Sequence, residues 1–160
     1  MSDYNRSAKI YWSVMVAAGL LTGAWGFYHC LGFAPAQWGQ FIALLSLVLI
    51  TSSYPIRIPN TTASVTAGDT FTFLSVIMLG IPAGILLGVV DSFVSSHRTT
   101  KRATSWIGAP AMMAVSVFLS GNSFYLTLAS YANIKTAPLG IASVSLTELL
   151  IPLAVMTILQ

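Results

Sequence analysis

The chain has 160 residues, of which 56% are hydrophobic and only 7% charged, against about a quarter charged in an average soluble domain. No water-soluble surface can be built from that, so lipid must be the solvent for much of this single domain. The formal net charge of +3 does not point to nucleic acid, because the basic residues sit in short islands with no aromatic interleaving for base stacking. The one cysteine, Cys30, excludes an intrachain disulfide and any multi-cysteine metal site.

Arg6 and Lys9 precede an apolar run as they would in a signal peptide, yet the run continues to Phe33 without a small-x-small cleavage site. A retained first span over residues 10–33 is expected, with no lipidation motif at either end. A second span covers residues 36–54 and stops where Pro55 and Pro59 disfavour a helix. Residues 55–67, rich in Thr, Ser and Pro, suit an interfacial loop or a short extended segment. Asp69 and Asp91 then bracket 21 uncharged residues, long enough for one span. However, Gly80-Ile81-Pro82-Ala83-Gly84 in the middle favours a break, which gives two short helices over residues 68–81 and 82–97. A span over residues 104–130 follows, with a candidate interruption near Gly121-Asn122. A final span over residues 140–160 is still apolar at Gln160. With no cationic anchor or polar tail after Leu159, the expectation is the N-terminal part of a longer protein.

Charge distribution arbitrates between five and six spans, because Lys and Arg collect in cytoplasmic loops. With a cytoplasmic N-terminus, the two-helix reading places Arg6, Lys9, Arg57, Arg98, Lys101 and Arg102 inside and only Lys135 outside. The one-span reading exports the island from His97 to Arg102. The expected fold is therefore an all-α integral membrane bundle of about six helices, two of them short and either tilted, partly re-entrant or matched by local thinning of the bilayer.

Gly80, Gly84 and Gly88, continued at the same spacing by Ser92 and Ser96, form a small-residue stripe that lets membrane helices approach closely. Gly19 and Gly23 repeat it once. Packing within the bundle is the first reading of these stripes, and they also permit a homodimer. Carboxylates in membrane segments are costly unless they face protein, water or a cation. Asp91 is the foremost ligand-binding or switch candidate, since it follows the stripe; the competing reading is an interfacial carboxylate paired with Arg98 or Arg102. Asp69, after Gly68, suits a helix start, where capping outweighs ligand binding. Glu148 and Arg57 complete the candidates, and a small-molecule ligand is admitted. No catalytic residues are expected: no nucleophile elbow, Walker-type or dinucleotide-binding glycine pattern is present. His29 and Cys30 point about 100° apart on a helix, and neither they nor His97 has a helix-spaced partner, so neither metal nor cofactor is expected. Trp12, Trp38 and Trp106 fall near span ends, where indole prefers the interface. Trp25 is the exception, facing lipid or lining an aromatic pocket.

The stretch from Ser52 to Ser96 resembles the N-terminal membrane domain of bacterial signalling proteins, through Arg57, Pro59, Asp69, Phe71, Phe73 and Leu74. That resemblance implies a non-enzymatic input module in the bacterial inner membrane, joined to a cytoplasmic diguanylate cyclase, HD-type phosphohydrolase or histidine kinase. The same stretch is similar to the substrate-binding subunit of energy-coupling-factor vitamin transporters, through Gly68, Asp69, Phe73, Leu74, Gly80, Ala83, Gly84 and Gly88. That second resemblance implies a solute pocket near the outer helix ends and a partner membrane protein with ATPases. In the first helix, only Ala17-Ala18-Gly19 is available as the small-residue docking motif those subunits carry. The signalling input module is the favoured expectation.

Overall fold

The computed structural model describes residues 5–53, 56–57, 64–65, 68–99, 103–132 and 154. Most of the expected sixth span, Glu148 included, lies outside them, as do Lys101, Arg102 and Lys135.

The first helix, α1 (Arg6–Cys30), starts where the Asn5 side chain accepts from the Arg6 amide at 2.7 Å, and Asn is among the best residues for that position. The next, α2 (Pro35–Ser52), begins on a proline, whose missing N–H costs nothing in a first turn. Its preceding amide, that of Ala34, donates to Gln37 Oε1 at 2.9 Å. A two-residue antiparallel ladder follows, β1 (Ile56–Arg57) with β2 (Ser64–Val65), Ile56 opposite Val65 and Arg57 opposite Ser64. Of residues 55–67, expected as an interfacial loop or a short extended segment, these four are described, and they are extended.

The sequence of 68–97 does form two helices, α3 (Gly68–Leu79) and α4 (Ile81–Thr99). Between them Gly80 adopts φ +92°, a conformation only glycine takes without steric cost. Gly80 therefore sits in the joint and not on the face of α4, where the four-residue spacing had placed it. Pro82 then occupies the first turn of α4, again where no amide bond is lost. The last described helix, α5 (Ala103–Ala132), runs through both Pro110 and Gly121-Asn122. The expected interruption does not occur because Asn122 Nδ2 bonds back to Phe118 O at 2.7 Å. Gly121 serves instead as the point where Ile81 of α4 comes close.

Named contacts fix the helix directions. Trp12 Nε1 donates to Thr104 O, Gly19 meets Ala111, and Trp25 meets the edge of Phe118, so partners stay about 92 residues apart and α1 runs parallel to α5. Gly84 faces Val76, Gly88 faces Thr72, and Asp91 faces Gly68, an inverted order that makes α3 and α4 a tight antiparallel hairpin about Gly80. Ile81 with Gly121 and His97 with Trp106 make α4 antiparallel to α5. The five helices thus alternate in direction along the chain, with α4 touching each of the others.

One end of the bundle collects the start of α1 with Arg6 and Lys9, the end of α2, the ladder with Arg57, the start of α3, the end of α4 with Arg98, and the start of α5. We call this the basic end. Two apolar layers fill the interior. Val76, Ile85, Ala114, Val117, Phe124 and Leu128 join α3, α4 and α5, while Phe41, Leu44, Val48, Leu79, Ala83 and Leu87 join α2, α3 and α4. The outside is equally apolar: Leu20, Leu21 and Leu126 are 67, 73 and 69% exposed. Arg6–Cys30, Pro35–Ser52 and Thr104–Ala129 are long and apolar enough to cross a membrane, and an apolar exterior on that scale belongs in lipid. Among the described residues, then, this is a helical membrane protein with one two-residue ladder.

Candidate functional site

The stripe on α4 brings its neighbours in and then presents a charge. A methyl group added at Gly84 would collide with Val76, and one at Gly88 would lie 3.2 Å from both Met113 and Val117. With no side chains in the way, α3 and α5 close on α4. Asp91 lies three residues beyond Gly88, on the same face. It therefore enters the packed interior and is only 4% exposed.

Two other helix ends meet it there. Its Oδ1 contacts the hydroxyl of Ser52, itself 1% exposed in the last turn of α2. The carboxyl group lies against Gly68, the first residue of α3, so closely that a Cβ at Gly68 would occupy its place. The start of a helix carries free amides and the positive end of the helix dipole, which suits a carboxylate. Ser52 Oγ is also 2.7 Å from Val48 O. A hydroxyl has one proton, so Val48 O and Asp91 Oδ1 compete for it. Two arrangements satisfy this geometry: Ser52 donates to the carboxylate, or it donates to Val48 O and accepts a proton from Asp91.

Arg98 does not pair with Asp91. Seven residues separate them, about 10 Å along a helix, and the guanidinium instead donates to Ser53 O at 2.7 Å and to Ser53 Oγ at 3.4 Å. That places a cation at the negative end of α2. The two charges of α4 thus address complementary helix ends, carboxylate to the start of α3 and guanidinium to the end of α2.

Asp69 lies in the first turn of α3, exposed, near enough for the charge of Asp91 to act on its carboxyl group. Arg57 lies in β1 opposite Ser64. Gly19 packs on Ala111, whereas Gly23 meets no described residue within 4 Å. Ser96 is buried, and Ser92 borders a groove of ≈ 500 Å³ with Met15 and Met112. Ser95 Oγ is buried without a partner among the described residues. Trp25 stacks near His29, with ring centroids 4.6 Å apart, and His97 near Trp106 at 4.7 Å. Among the described residues no three His, Cys, Asp or Glu side chains group as metal ligands would.

Ser52 and Ser53 were not singled out from sequence. Their signal is the run Thr51-Ser52-Ser53 ending an otherwise apolar helix, where serine hydroxyls can bond back to the preceding turn. Comparison with protein-family models, with curated proteins and with solved structures finds no match to this chain.

Proposed function

We propose that this chain is the membrane-embedded, non-enzymatic sensor or anchor module of a bacterial signal-transduction protein whose output domain is cytoplasmic. In this reading it is a six-span bundle in the inner membrane, α3 and α4 count as two of the spans, and the basic end faces the cytoplasm in keeping with the distribution of Lys and Arg. The observation that carries it is the buried Asp91–Ser52 contact. This is a polar junction at which α2, α3 and α4 meet, with two proton arrangements that a ligand or a bilayer change can bias. A shift there moves the end of α4 and its Arg98 against the end of α2, at the side where an output domain would attach.

The test is to follow the reading frame past Gln160 and, with any output domain in place, compare output from the native protein and Asp91→Asn. A cyclase, phosphohydrolase or kinase domain whose activity changes at least severalfold in the variant is the expected result. A stop codon within about thirty residues, since a finished span needs only a few more, would end the signalling reading. Tight co-purification of a vitamin-like solute would turn attention to transport.

A further inference from the structure

Beside the Asp91 junction, on the outward side of α2, Leu49, Ile50, Ser53 and Arg98 line an open groove of ≈ 580 Å³. Its walls and its head differ chemically. Leu49 and Ile50 are 40 and 58% exposed, lying on a helix long and apolar enough to cross a membrane, so their outer surface meets acyl chains. Arg98 lines the groove at the basic end of the bundle. Among the described residues Ser53 engages two of its five N–H donors, and these bonds hold the guanidinium over the groove. Asp91, the carboxylate on α4, is buried with Ser52, and among the described residues no carboxylate pairs with Arg98. Asp69 stands on α3, in its first turn.

We infer that this groove is a binding site for one anionic phospholipid, with the headgroup phosphate on Arg98 and an acyl chain along Leu49 and Ile50. A fixed guanidinium with free donors matches phosphate oxygens better than a mobile ammonium. The apolar walls select the lipid over free phosphate, and a cation with no carboxylate partner among the described residues selects an anionic headgroup over a zwitterionic one. The site does not depend on the sensor reading, because it is equally available to an anchor or a transporter.

Native mass spectrometry of the purified full chain, titrated with phosphatidylglycerol or phosphatidylcholine, tests it. The expected result is one phosphatidylglycerol retained in preference to phosphatidylcholine, weakened about fivefold in Arg98→Gln and less in Arg98→Lys. Ile50→Trp, at an exposed position, fills the groove with another apolar side chain and is expected to lose the lipid while leaving the fold intact. It therefore reports on the site even if the Arg98 variants fail to fold. Equal retention of the two lipids, unchanged phosphatidylglycerol binding in Ile50→Trp, or its displacement by millimolar inorganic phosphate would overturn the assignment.

Discussion

Ser52 has one proton and two acceptors within reach, and the chemistry of the bundle turns on that shortage. Ser52→Ala removes the hydroxyl that reaches the Asp91 carboxyl group and leaves a buried polar group without its partner, an expected loss of about 1–3 kcal/mol. Thermal unfolding in detergent should show the drop, and in Asp91→Leu the same serine change should cost much less, since the partners are then both absent. Gly68→Ala has a steric cause: its methyl group would stand where the carboxyl group stands. The same measurement should show destabilisation of about 1–3 kcal/mol, the range for overpacking a tight interior. Asp91 was legible in the sequence because a carboxylate amid apolar residues has few harmless places to be. Its partners were not, because a serine near a helix end looks the same whether it bonds its own helix or a neighbour's carboxyl group. The pairing of Arg98 with Ser53 was hidden for a related reason: sequence spacing suggested the nearest opposite charge, and the end of a neighbouring helix competed successfully for it.

At the scale of elements, the α3–α4 hairpin depends on Gly80, whose φ of +92° penalises any side chain. Gly80→Ala is expected to destabilise by about 1–2 kcal/mol, and Gly84→Leu by more, because Val76 occupies the space it needs. Unfolding midpoints ordered native, Gly80→Ala, Gly84→Leu would support both arguments. The break itself could be read from Gly-Ile-Pro-Ala-Gly, since glycine and proline act locally. That Gly121-Asn122 would not break α5 could not be read, because the local tendency was overridden by Ile81 closing on Gly121 and by the Asn122 side chain bonding back along its own helix.

For the whole molecule, the alternating directions make a sharp statement: α1 and α5, far apart in sequence, lie side by side and parallel. Cysteines replacing Trp25 and Phe118, in a Cys30→Ser background, should crosslink readily with a short bifunctional reagent. Cysteines at Trp12 and Phe118, near opposite ends of the paired helices, should not. Sequence supplied the helices and their rough limits through hydropathy and the prolines, but not which would be neighbours, since apolar faces of membrane helices are nearly interchangeable. The tight hairpin bears on biosynthesis. A helix of 12 residues reaches about 18 Å, well short of a hydrocarbon layer about 30 Å thick, and one residue ties it to its successor. On the six-span reading proposed above, α3 cannot wait in the bilayer for α4; the two must leave the insertion machinery as a pair, already folded on each other. A chain truncated at Gly80 should therefore leave α3 outside the membrane, as a glycosylation-site reporter placed after it would reveal.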